Sequence, residues 1–169
     1  MRRRPPSWWR VGMEGRRSGY DNPVTNSYRD FNSNLIQDLR ANQGRASSGP
    51  FKGADVLILT TTGAKTGKPR ENPLAFSSEN GDYVVVASKG GAPTNPAWYH
   101  NLVANPVVTV EALGETFKAR ARVIDGKQDY ERLYREHARK MPGFNEYRQR
   151  TSRRIPVIVL ERVDSEHAA

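Results

Sequence analysis

The chain has 169 residues, 27% charged and 36% hydrophobic, with a formal net charge of +9 and no cysteine. That length suits one domain of ordinary size. No apolar run approaches the roughly 18 residues of a membrane span, and the missing cysteines exclude disulfides, thiolate metal sites and a cysteine nucleophile.

The charge is unevenly spread. Residues 1–20 hold six arginines against Glu14, for +5, which leaves +4 for the other 149 residues. A tail and a loop therefore carry it, rather than the basic face that tracks nucleic acid, and no nucleic-acid partner is expected. The tail, MRRRPPSWWRVGMEGRRSGY, is rich in proline and glycine, which oppose a regular helix. It lacks the apolar region of a secretory signal, and with the absent cysteines this fits a cytoplasmic protein. Two readings of residues 1–20 stay open. One is a disordered, solvated tail. The other is peripheral contact with the inner face of the cell membrane, arginines meeting anionic headgroups and Trp8 and Trp9 sitting at the interface.

From Asn22 to Gln43 the pattern is helical: Val24, Tyr28, Phe31, Leu35 and Leu39 recur at spacings of three and four. Gly44 follows as a stop. Strands come next. VLILTTT (56–62) is rich in β-branched residues. PLAFSS (73–78) and YVVVAS (83–88) flank Asn80-Gly81, a strong hairpin signal. VVTVEAL (107–113) and TFKARARVI (116–124) flank a turn at Gly114-Glu115, and IPVIVLERV (155–163) is the last strand. Asn95-Pro96 reads as a cap and first helical residue opening AWYHNLVAN. Asp125 and Gln128 read as a capping pair before Tyr130, Leu133, Tyr134 and His137. PGFNEYRQR (142–150) makes a further short helix. His100, His137 and His167 form no visible triad or metal set, and no metal is expected.

Short antiparallel strands joined by hairpins, with helices between them, predict a mainly β, α+β domain: a small split barrel with helices packed outside. Connections this short disfavour parallel winding. The domain is expected over residues 21–163, with 164–169 as a second tail.

TTGAKTGKPR (61–70) follows the first strand and carries Lys65, Lys68 and Arg70. A Walker loop needs four residues between its glycines and a hydroxyl after the lysine. Here three residues separate Gly63 from Gly67, and Pro69 follows Lys68. The Walker reading fails on both counts. Anion binding by glycine-exposed backbone, lysine charge and an arginine fork does not need that motif; the other reading is a solvated basic turn. A second stretch, ASKGGAPTNPAWYHNL (87–102), runs through a Gly-Gly turn with a lysine to a helix start, where free N–H groups attract anions.

GAKTGKPR, then NPL, then ASKGGAPTNPAWYHNL, in that order, resemble the deazaflavin-dependent nitroreductases, split β-barrel oxidoreductases that use coenzyme F420. The resemblance covers roughly residues 53–163. It implies an enzyme that takes a hydride from reduced F420, a deazaflavin bearing a phosphate and an oligoglutamate chain. It implies that Ala64, Lys65, Thr66 and Arg70 hold the anionic tail. Pro73, Leu74 and Ala75, with Val86, Ala87, Ser88 and Lys89, would line the deazaflavin, and Ala97, Trp98, Tyr99 and Asn101 would meet its other side. Met141, Phe144 and Tyr147 would cover the reactive face, with Tyr147 and Ser88 as the catalytic hydrogen-bonding groups. The acceptor would be a quinone, an activated alkene or a nitroaromatic. Met141 and Phe144 stand where tyrosine-rich relatives carry hydroxyls, which tells against strong nitroimidazole turnover; packing on the barrel is the other reading of all three residues. An FMN-binding split barrel and a non-catalytic F420 carrier are the rival readings, and a basic tail also suits a homodimer.

Overall fold

A computed structural model describes residues 23–163. The tail of residues 1–20 and the 164–169 segment lie outside the described residues, so the membrane reading of Trp8 and Trp9 does too.

Helix α1 (Pro23–Ala41) precedes strands β1 (Val56–Thr62), β2 (Pro69–Ala75), β3 (Ser77–Glu79) and β4 (Asp82–Val86). Helix α2 (Ala97–Ala104), strands β5 (Val107–Ala112) and β6 (Glu115–Val123), helices α3 (Lys127–Lys140) and α4 (Gly143–Arg150) and strand β7 (Val157–Arg162) complete the fold. All strand pairs are antiparallel, in the order β2-β1-β5-β6-β7-β4-β3. This is the curled half-barrel expected of the sequence.

Alternation along each strand sends side chains to two faces. The inner face carries Leu57, Leu59, Val85, Val108, Val110, Ala119, Ile158 and Leu160, on which Trp98 and Leu102 of α2 pack. The outer face is divided between two helical layers. Leu35, Ile36 and Leu39 of α1 cover Val56 and Ile58. Tyr130, Leu133, Tyr134, Phe144 and Tyr147 of α3 and α4 cover Val84, Val86, Val157 and Val159. Each aliphatic side chain so buried contributes about 1.5–3 kcal/mol. Gly44 ends α1 as expected: its φ is +87°, and a Cβ there would run into the backbone of Leu113.

Three local expectations are corrected. PLAFSS is not one strand: β2 ends at Ala75 and β3 begins at Ser77. Phe76 is the crossing residue, its N–H still bonded to Asp55 on the β1 side at 3.1 Å while its neighbour Ser77 pairs with Val84. Neither expected helix cap forms. Gly126 caps α3 with no side-chain bond, and the Arg154 guanidinium donates to the backbone carbonyls of Ile124 and Asp125 before it. Pro96, not Asn95, is the N-cap of α2; the Asn95 Oδ1 accepts from Arg153 Nη1 at 2.7 Å instead.

Candidate active site

β2 and β3 stand at opposite ends of the sheet order yet are separated in sequence by Phe76 alone. The sheet must therefore curl until its two edges meet at that residue. Lys140 latches the junction, with Nζ 2.5 Å from the Asp55 carboxylate and 5.8 Å from the centre of the Phe76 ring. Beyond the junction the edges part. The β3–β4 register pairs Ser77 with Val84 and Glu79 with Asp82. Beyond the junction Pro73, Leu74 and Ala75 lie on β2 and Val86, Ala87 and Ser88 at and after the end of β4, and β2 and β4 are not paired. Two segments singled out in the sequence thus lead away from that junction, one along β2 and one at the end of β4. Pro69 and Pro73 blunt the open edge of β2, as prolines on edge strands do.

From Ala75 back to Lys68 the edge runs about 20 Å, to the loop that joins β1 and β2. That loop closes on itself. Gly63 N–H donates to Lys68 O at 2.8 Å, and Gly67 N–H to Gly63 O at 2.8 Å. A Cβ on Gly63 would lie 2.6 Å from Thr66 Oγ1 and 3.1 Å from Lys68 O, so a larger residue there would have to turn the Thr66 side chain aside. Pro69 and Arg70 belong to β2 rather than to the loop. Ala64, Lys65, Thr66, Lys68 and Arg70 are exposed. Among the described residues, the side chains of Lys65, Lys68 and Arg70 have no ion pair or hydrogen bond.

Asn101 ties this loop to α2. Its Oδ1 accepts from Ala64 N–H at 3.0 Å, and its Nδ2 donates to Thr61 Oγ1 at 3.2 Å. The amide is thus spent on the protein. Trp98 is buried in the inner core, so Ala97 and the half-buried Tyr99 are the two of the four expected α2 contacts with surface to offer, beside the exposed His100.

Across the split, Val86 ends β4 and Ala87 remains bonded to Pro156 O at 2.9 Å. The chain then turns through Lys89, Gly90 and Gly91, all with positive φ. Gly91 is forced to be glycine: a Cβ would meet Tyr147 O at 2.7 Å. Ser88 is nearly buried, and among the described residues its hydroxyl has no partner.

Met141 is the C-cap of α3, and Phe144 and Tyr147 lie on α4. The three come together against the outer face of β4, with Met141 partly buried and the two rings 5.2 Å apart. Tyr147 is 1% exposed, its hydroxyl lying over Gly143 one turn back. Burial pushes its phenol well above the ordinary value. His137 is wholly buried behind Phe144, 4.4 Å between ring centres, with Nδ1 2.8 Å from Ser77 Oγ. Burial, helped by Lys140, lowers it to about 3, so it is neutral.

Two residues escape a reading of the sequence, Lys140 and Arg153. Both sit in arginine- and lysine-rich stretches that look like solvated surface, and their partners are 58 or more positions away.

The description "F420H(2)-dependent quinone reductase" belongs to the family model that matches residues 33–162, more than three quarters of the chain. The chain belongs to that family. A relative of Mycobacterium tuberculosis named F420H(2)-dependent quinone reductase Rv1261c is 43% identical over 108 residues, 63% of this chain and 72% of its own. A solved structure titled as an F420-H2 dependent reductase has 41% identity and a TM-score of 0.58 over 63% of this chain and 93% of its own. Another, titled as a domain-swapped dimer, has 35% identity and a TM-score of 0.61 over 81% of this chain and 98% of its own. Membership makes this chain an F420-dependent reductase, with reduced F420 as its hydride donor.

The residues present fit that group. The cofactor is anionic at one end and a flat ring system at the other. The β2 edge offers unpaired cations at one end and the half-buried, apolar Pro73, Leu74 and Ala75 at the other, while Val86 and Ala87 are buried beneath their neighbours.

Proposed function

We propose that this family member reduces a quinone-type acceptor, binding F420 along the split between β2 and β4. The observation that carries the reading is an apolar stretch of the unpaired β2 edge that leads to three unpartnered cations, Arg70 on β2 and Lys65 and Lys68 in the loop before it. Lys65 and Arg70 would hold the phosphate and glutamates, with Ala64, Thr66 and Lys68 beside them; a carboxylate or phosphate accepts strong charge-assisted bonds from such donors. Pro73 to Ala75 and Val86 to Lys89 would border the ring, with Ala97 and Tyr99 on its far side and Trp98 and Asn101 supporting that helix start.

Bound and reduced, F420 supplies a hydride. The protein's task is to orient the acceptor and stabilise the oxygen on which charge develops. The Ser88 hydroxyl is the available donor, since it has no other partner among the described residues. Tyr147 would act from within the α4 wall, its hydroxyl reached when the α3–α4 turn with Met141 and Phe144 opens to the acceptor. The apolar surface of Met141 and Phe144 suits a quinone ring better than a polar nitro compound. The basic, tryptophan-bearing residues 1–20 suit an acceptor dissolved in the membrane. A homodimer is compatible with the likeness to a chain titled as a domain-swapped dimer.

Fluorescence titration with F420, run beside FMN, tests the cofactor, and turnover of menadione by the reduced complex tests the acceptor. Saturable F420 binding with menadione reduction is expected. Binding of FMN instead would end the deazaflavin reading. F420 binding with no turnover of any quinone would make the chain a carrier.

A further inference from the structure

Arg153 lies between α4 and β7, in a stretch the sequence presents as exposed basic surface. Its guanidinium is turned inward. Nε donates to Ala92 O at 2.8 Å, Nη1 to Asn95 Oδ1 at 2.7 Å, and Nη2 to Ser88 O at 2.7 Å and Ala87 O at 3.3 Å. One side chain thus grips both ends of the turn that leads out of β4. The topology makes this grip available. β4 and β7 are antiparallel neighbours with Val86 opposite Val157, so the segment before β7 runs beside the segment after β4.

The turn needs a grip. Lys89, Gly90 and Gly91 are all left-handed, with φ of 48°, 65° and 83°, and Lys89 has a Cβ that disfavours this region. Local bonds from Gly91 to Ser88 O and from Ala92 to Lys89 O close the turn but do not tether it to the barrel. Arg153 supplies the tether at three carbonyls. Drawing the Ala87 and Ser88 carbonyls to one side fixes the backbone from which the Ser88 hydroxyl projects.

From this geometry we infer that Arg153 is a positioning residue for the F420 site: it holds the Ala87–Asn95 turn, and Ser88 above all, in the shape that meets the cofactor ring. The role rests on the proposed placement of F420 beside Ala87 to Lys89. A planar guanidinium reaches four acceptors at once, and a lysine ammonium cannot reproduce that fork.

The test uses Arg153→Lys in the full chain, with three readouts: thermal melting, F420 affinity by fluorescence titration, and tryptic cleavage after Lys89 in the absence of cofactor. Cleavage after the exposed Lys65 serves as the internal reference. Melting close to wild type is expected, with affinity lower by about 10-fold or more, the loss expected for charge-assisted bonds, and with cleavage after Lys89 where the wild type resists it. Asn95→Ala, which removes one arm only, should weaken F420 by about 2- to 5-fold. An Arg153→Lys protein with wild-type affinity and a protected Lys89 overturns the inference. If that variant does not fold, Asn95→Ala decides, and wild-type affinity together with wild-type protection overturns it. Failure of the wild-type chain itself to bind F420 removes the proposed site and this role with it, and is told apart by the unmodified control.

Discussion

The loop after β1 and the turn after β4 both mix glycines with lysines, and both border the split. They hold their shapes by opposite means. The first is closed by its own backbone bonds between Gly63, Gly67 and Lys68, and its cations face outward without partners among the described residues. The second is gripped from a distant part of the chain by Arg153 and packed against Tyr147 of α4. Charge left unpaired on a self-supporting loop is available to a ligand. Charge spent on backbone carbonyls is architecture. The same contrast runs through the surface arginines: Arg40 bonds Glu111 and Glu71, Arg132 bonds Glu79, and Arg162 bonds Glu115. Such exposed pairs contribute about 0–1 kcal/mol each, so they occupy charge more than they stabilise the fold.

Glycine substitutions break the comparison most sharply. Gly91→Ala forces a Cβ to within 2.7 Å of Tyr147 O at a φ of 83°. Left-handed strain of about 1–2 kcal/mol joins overpacking of about 1–3 kcal/mol, and urea unfolding should show a loss of roughly 2–5 kcal/mol. Removing one cation from the open loop comes next. Lys65→Ala should weaken F420 by about 10–150-fold and leave the unfolding midpoint where it was. Unchanged affinity would take Lys65 out of the site.

The buried wall behind the gripped turn should respond to acid. His137 stays neutral in the folded chain down to about 3, against an ordinary value of 6.5. Between those values the unfolded chain carries a proton that the folded chain refuses. Stability from this group is therefore complete above pH 6.5 and lost as the pH falls toward 3, by at most about 1.4 kcal/mol per pH unit. Unfolding measured from pH 7 to pH 4 in wild type and His137→Gln should show a shallower slope in the variant. Equal slopes would assign the acid sensitivity to other groups. The smallest effect belongs to Gly67→Ala. Its φ is 68°, but no atom lies within 4 Å of the added Cβ, so only the strain of about 1–2 kcal/mol should appear. A loss as large as that of Gly91→Ala would mean the two loops are not different after all.

Strand and turn positions were legible in the sequence because they depend on neighbours in the chain. β-branched alternation marks a half-buried strand, and Asn80-Gly81 and Gly114 mark turns, whatever the rest of the molecule does. The basic, glycine-bounded loop of Gly63 to Arg70 was likewise legible, since glycine spacing and lysine charge are read over a few residues. The break at Phe76 was not legible, because PLAFSS holds no glycine or other turn signal in its interior and only closure of the barrel requires one residue to leave β1 for β4. The start of α2 misled for a related reason. Asn95 has the chemistry of a cap, but Arg153 arrives from elsewhere and claims it. Asn101 and Trp98 read as cofactor contacts, and the fold turns one to Thr61 and Ala64 and the other into the core. Local chemistry thus decided which residues could bind an anion or cap a helix. Tertiary structure decided which of them remained free to do so, because each polar group satisfies its bonds with whatever the fold brings nearest.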